Sequence, residues 1–268
     1  MNSARILQGK HAVVFGAAGS IGTAVAKEFA AEGAEVYLSG RGAPNVEQVA
    51  KDIARAGGHA NVAVVDALDD LAVNEYMRGV AQRAGTIDIV LDATGPLAMQ
   101  YGNGKMAVEL AIDEFMLPVT TVLKSHFITA RAAARLMAEQ RSGVIIFVTG
   151  SPARGHVPGA TAIGAAFGAI ECLTENLALE VGPYGVRVVC VRTLANVDSR
   201  SIQQTTEFLA SRMNITSDQA TAQIANSNFL KRLATVSDTA RAAVLVASDN
   251  ASMMTGTVVN ATAGAAPD

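Results

Sequence analysis

Charge is scarce in this sequence: Asp, Glu, Lys and Arg together make up 17% of 268 residues, against roughly 25% in ordinary soluble domains. The 21 Lys and Arg residues are scattered, without a basic run or interleaved aromatics, and the net charge is -3. That pattern excludes the cationic face a nucleic-acid partner requires. Tryptophan is absent and aromatics stop at 4%. Cys172 and Cys190 are the only cysteines, in neither CxxC nor metal-ligand spacing, so each reads as a small buried hydrophobe and no metal is implied. No uninterrupted apolar run reaches the roughly 18 residues of a membrane helix. The N-terminal MNSARILQGKHAVVFGAAG lacks an apolar core followed by a cleavage site. A cytoplasmic chain with a small-molecule substrate and no membrane or nucleic-acid partner is the expectation.

Hydrophobic residues, by contrast, fill 50% of the chain. A parallel sheet covered on both faces hides part of that surface, and a subunit interface would hide more. Short β-branched runs (HAVVF, AEVYLS, NVAVV, DIVLD, GVIIFV, VRVVCV and GTVVN) alternate with stretches of helical period at 21–32, 45–56, 71–84, 119–139 and 161–181. The alternation predicts an α/β chain: a Rossmann-type, doubly wound parallel sheet of about seven strands in three α/β/α layers. The length suits one domain over 1–268. A helical excursion at about 196–238, with capping-box spacing from Thr216 to Gln219, is expected to cover the mouth of a site.

The segment HAVVFGAAGSIGTAV sets Gly16, Gly19 and Gly22, with Ser20 and Ile21, between a strand and a helix. In such a turn backbone N–H groups approach a pyrophosphate at the helix N-terminus. After the second strand the chain reads LSGRG. A carboxylate for ribose hydroxyls is missing there, and Arg41 offers a guanidinium able to hold a 2'-phosphate bidentately. NADP(H) is the expected cofactor, ahead of NAD(H).

The order of these pieces resembles the short-chain dehydrogenase/reductase family, from about Gly9 to Gly264. The family's TGxxxGxG motif corresponds to Phe15-Gly16-Ala17-Ala18-Gly19-Ser20-Ile21-Gly22. Its acidic adenine contact after strand three corresponds to Asp66, followed by Ala67, and its NNAG to Asp92-Ala93-Thr94-Gly95. The tail with a helix before a "TG" strand corresponds to ASDNASMMTGTVVNATAG. The resemblance implies cofactor contacts at Gly16, Ser20, Ile21, Gly22, Arg41, Asp66, Ala67, Ala93, Thr94 and Gly95. It also implies a homodimer or homotetramer through the helices at about 119–139 and 161–181.

In the family a tyrosine protonates the carbonyl oxygen and a lysine four residues on lowers its pKa, while a serine orients the substrate and an asparagine anchors a water relay. A gapless comparison puts Ile163 at the tyrosine, Phe167 at the lysine, Gly150 at the serine and Val122 at the asparagine. Losing a general acid costs roughly 10² to 10⁴ in rate, so the standard mechanism is not expected. The loop SPARGHVPGAT offers Ser151 and His156 as substitutes, His156 being the best placed to exchange a proton near neutral pH. Tyr101 is a third candidate, and His126 reads as interface packing. The run from Ile163 to Ile170 reads as a helix face of small residues able to approach a neighbouring helix. Two functions follow: an NADP(H)-dependent oxidoreductase acting on an activated enone, quinone or imine, or a catalytically inactive nucleotide-binding or assembly subunit.

Overall fold

The computed structural model describes residues 5–155 and 157–267. Seven strands, β1 (His11–Phe15), β2 (Glu35–Gly40), β3 (His59–Val64), β4 (Ile89–Asp92), β5 (Gly143–Gly150), β6 (Val186–Thr193) and β7 (Thr257–Ala261), form one sheet. Their order is β3-β2-β1-β4-β5-β6-β7 and every pairing is parallel. The near-continuous apolar strand runs have a direct cause. Alternate residues of each central strand enter opposite cores, Val13, Ile145, Phe147 and Val188 one, and Val14, Ile146, Val148 and Val189 the other; both faces are therefore dry.

Helices α1 (Ser20–Ala31), α2 (Ala43–Arg55) and α9 (Val236–Ala247) cover one face, contributing Val25, Phe29, Val49, Ile53 and Val244 to its core. On the other lie α3 (Asp70–Ala84), α5 (Lys124–Gln140) and α6 (Thr161–Val181), with Met77, Ile128, Met137 and Ile170. Between β4 and α5 the chain adds α4 (Ile112–Pro118) and a π-helical stretch, Val119–Leu123. The helical segment thus begins earlier than its sequence period indicates. Pro118 has no N–H to donate, and the ladder passes it by widening into the π stretch.

Two other expectations are corrected. Cys190 is buried, with its thiol pushed up to about 12 by desolvation, but Cys172 is exposed. On α6, Gly164 meets the chain's own loop: a Cβ there would lie 2.8 Å from the Pro152 carbonyl oxygen. His126 is not interface packing; it is 1% exposed and turned into the monomer's own core. The span Thr161–Tyr184 is long and apolar enough by length and composition to cross a membrane. It carries Glu171, however, which pairs with Arg192 of β6 inside the fold.

Candidate active site

The ends of β3, β2, β1 and β4 are neighbours, so residues far apart in sequence meet above them. At the end of β1 the chain turns at Gly16, whose φ is +70°. The Gly19 N–H closes the turn on the Gly16 carbonyl at 2.9 Å, and the Ala17 N–H donates to the Ser39 carbonyl of β2 at 3.0 Å. A Cβ on Gly16 would stand 2.8 Å from Ala93 C and from Thr94 N, and one on Gly22 2.3 Å from the Gly16 oxygen. Glycine is thus required where helix, turn and the loop after β4 converge, and the bare backbone leaves a cradle of the kind that accepts a pyrophosphate. Ser20 and Ile21 begin α1 beside it. Arg41 is exposed beyond β2, with no ion pair among the described residues. Asp66 is exposed beyond β3, one oxygen accepting the Leu68 N–H at 3.0 Å, and Ala67 is buried behind it. Ala93, Thr94 and Gly95 follow β4. The residues present fit a dinucleotide.

Past the cradle, β5 and α6 bring the hydrocarbon positions together. A Cβ on Gly150 would lie 3.2 Å from Cε2 of Phe167 and 3.3 Å from Cδ of Pro152; the Phe167 ring stands against the place a serine side chain would need. Ile163 is buried at 6% exposure and Val122 at 4%. Val122 comes beneath Gly95, where a Cβ would touch its Cγ2 at 3.6 Å. No side chain among these four carries an N–H or O–H.

The candidate proton donors fare differently. Ser151 sits in the 3₁₀ turn after β5, 8% exposed, and its hydroxyl makes no hydrogen bond among the described residues. Tyr101 closes a second 3₁₀ turn, Ala98–Tyr101, where burial pushes its phenol up to about 12. That shift is opposite in sense to what a lysine neighbour would produce. His156 lies outside the described residues.

A family model described as enoyl-(acyl carrier protein) reductase matches residues 16–266. The chain belongs to the short-chain dehydrogenase/reductase family. It is 29% identical over 265 residues to the peroxisomal 2,4-dienoyl-CoA reductase of Saccharomyces cerevisiae, covering 95% of this chain and 83% of that protein. It is 27% identical to the 3-oxoacyl-(acyl-carrier-protein) reductase of Chlamydia pneumoniae, covering 93% of this chain and 94% of that one. Among solved structures, NAD+-bound xylitol dehydrogenase superposes with a TM-score of 0.87 at 24% identity, covering 95% of this chain and 98% of the other, a likeness of fold. As a family of oxidoreductases, the short-chain dehydrogenase/reductases bind a nicotinamide cofactor and act on small molecules.

Two polar groups under this family site were not found from the sequence. Asp92, buried at the end of β4, accepts the Thr94 N–H at 2.7 Å and the Thr129 hydroxyl at 3.0 Å. His126 Nδ1 stands 3.6 Å from its Oδ2. Because a carbonyl only accepts, Nδ1 must donate to Val122 O at 2.8 Å; Nε2 is buried without a hydrogen-bond partner among the described residues. The second group is Glu171, one turn after Phe167 on α6. It grips Arg192 through Nε–Oε1 at 2.7 Å and Nη2–Oε2 at 2.9 Å and accepts the Thr149 hydroxyl at 3.0 Å. A glutamate in so apolar a helix was the available signal, since a carboxylate there must find a partner.

Over the cleft runs α7 (Arg200–Met213), followed by α8 (Ser217–Ser227). The Arg200 N–H donates to Ser20 Oγ of the glycine turn at 3.3 Å. Farther along, Asn103 Nδ2 donates to Thr205 Oγ1 at 2.9 Å, and Arg212 pairs with Glu109 at 3.3 Å. The helix therefore spans from the glycine turn to the loop after β4. The expected capping box at Thr216 and Gln219 starts α8.

Proposed function

We propose that this chain is an NADP(H)-dependent reductase of activated double bonds that works without the family's tyrosine–lysine acid. The observation that carries the reading is the Phe167 ring against Gly150, which puts hydrocarbon where the proton-handling groups would stand. When bound, a reduced nicotinamide supplies a hydride. The chain's own residues would hold the dinucleotide at Gly16, Ser20, Ile21, Gly22, Asp66, Ala67, Ala93, Thr94 and Gly95, and Arg41 would take the 2'-phosphate. The segment at 196–238 would act as the lid, with α7 excluding water. A substrate whose acceptor atom is already activated, an enone, quinone or imine, needs no strong acid from the protein. The dienoyl-CoA reductase relative, by its name, also reduces a conjugated system. Ser151 and Tyr101 are the hydroxyls this reading proposes for any late proton, and His156 follows Ser151 in the sequence.

A homodimer is the assembly this reading favours. Val119, Leu123, Phe127, Ala169 and Leu173 line an apolar groove of about 510 Å³ between α5 and α6, and Phe127 is 48% exposed.

The deciding experiment is calorimetric titration with NADPH and NADH, followed by stopped-flow NADPH oxidation against ketones, enones, quinones and imines. Tighter NADPH binding, loss of that preference in Arg41→Ala, and turnover of activated substrates but not simple ketones are expected. Tighter NADH binding overturns the cofactor assignment. Efficient reduction of simple ketones overturns the mechanism.

A further inference from the structure

We infer that the substrate of this site is a preformed cation, a cyclic or N-alkylated iminium, rather than a neutral carbonyl; this rests on the reductase reading above and narrows it. Where the family places a lysine, the chain has the half-buried ring of Phe167, standing against Gly150. Ile163 and Val122 add buried hydrocarbon. Beneath them the Asp92 carboxyl is 2% exposed and accepts from the Thr94 N–H and the Thr129 hydroxyl, with His126 Nδ1 3.6 Å away. Arg192, the nearby buried cation, is matched by Glu171. Arg154, on the turn after β5, is exposed to solvent. Asp198, before α7, is committed to the Val236 N–H at 2.8 Å. The chain therefore sets an aromatic ring where the family has an ammonium, and no ammonium or guanidinium projects from the start of α6.

Such a site serves two reductions very differently. Adding hydride to a neutral ketone creates an alkoxide, which needs a proton or fixed donors, and no side chain at 122, 150, 163 or 167 supplies either. Adding hydride to an iminium creates no anion. The hydride bond forms at carbon with the transferred electron pair, the C=N π pair becomes the nitrogen lone pair, and the positive charge passes to the oxidised nicotinamide. Net charge in the cleft is the same before and after, and no proton moves. A water-poor apolar cavity favours a step that relocates charge without creating it. An aromatic face attracts a cation that a lysine at 167 would repel.

The test reads binding, independently of turnover. In the presence of NADPH, calorimetry compares the non-reducible cation N,N-dimethyltetrahydroisoquinolinium with the dimethyltetralin in which carbon replaces the nitrogen. The cation should bind about tenfold more tightly than its neutral isostere. Phe167→Lys should remove that preference and leave the neutral compound's affinity within about twofold. Phe167→Leu, which keeps the hydrocarbon but not the π face, should fall between them and decides the matter if the lysine variant does not fold. Equal or tighter binding of the neutral compound, or an unchanged preference in both variants, overturns the inference. Oxidation of NADPH by neutral enones or quinones without cation binding would sink this narrowing and leave the reductase reading intact. Failure to bind NADPH at all would sink both.

Discussion

Replacing Glu171 with alanine tests how much of the fold depends on one buried ion pair. The carboxyl holds Arg192 through two short hydrogen bonds, at 2.7 and 2.9 Å, and the Thr149 hydroxyl through a third at 3.0 Å. Side-chain exposure is 10% for the glutamate and 3% for the arginine, so water cannot replace the lost partner. Removing one side of such a pair costs about 3–5 kcal/mol, because the remaining charge stays desolvated. Unfolding entropy at this chain length makes each kcal/mol worth roughly 2 °C in Tm. The expected fall is therefore about 6–10 °C by scanning calorimetry at neutral pH. The control is Glu171→Met combined with Arg192→Met, which removes both charges and keeps the volume; it should unfold close to the parent. A single variant within about 2 °C of the parent, or a double variant as damaged as the single, would refute the claim that desolvated charge, rather than packing, sets the cost.

Gly22→Ala places a Cβ 2.3 Å from the Gly16 carbonyl oxygen and must open the glycine turn; NADPH affinity by titration should drop about tenfold or more, and an unchanged value would show that the turn is not the cradle. Asp238 is held well below the usual carboxylate range by the Thr235 backbone N–H, with Arg232 and Arg241 adding to the effect. Its folded value being depressed, the stabilisation is complete above the unfolded value near 3.9 and fades as pH falls through the folded one, so the stability gap between the parent and Asp238→Asn should be largest near neutrality and narrow below about pH 4. Urea unfolding at neutral and acid pH reads this, and a constant gap would contradict it.

The central strands were legible because a sheet buried on both faces writes itself as unbroken apolar runs, and α6 was legible to its ends. The start of the segment at 112–123 was not, since Pro118 reads as an ending and the π stretch that absorbs it leaves no periodic trace. Likewise His126 comes four residues after Val122 in the sequence, which puts the two on one helix face but does not say which way that face looks. Its partner Asp92 lies on another element, and only the order of strands brings the two together. The same limit hid Glu171 and Arg192. The glycine turn, in contrast, is local: each glycine is demanded by a contact with backbone close in sequence or at the adjoining strand end.

Two of the four hydrocarbon positions are in contact: a Cβ on Gly150 would press on the Phe167 ring at 3.2 Å, so a side chain there requires that ring to shift by a few tenths of an ångström. The π stretch still turns the Val122 carbonyl inward, and Ser125 Oγ at 3.0 Å and His126 Nδ1 at 2.8 Å now satisfy it from within. A carbonyl already holding two donors has little call on a water. His126 in turn is steadied by Asp92, whose other oxygen accepts the Thr94 N–H in the loop facing the glycine turn. Polar bonding around Val122 thus lies in the core, while the glycine turn takes its shape from backbone contacts of its own. On the proposed reading the two are independent, and the turn would hold the nucleotide whatever side chains stand at 122, 150, 163 and 167.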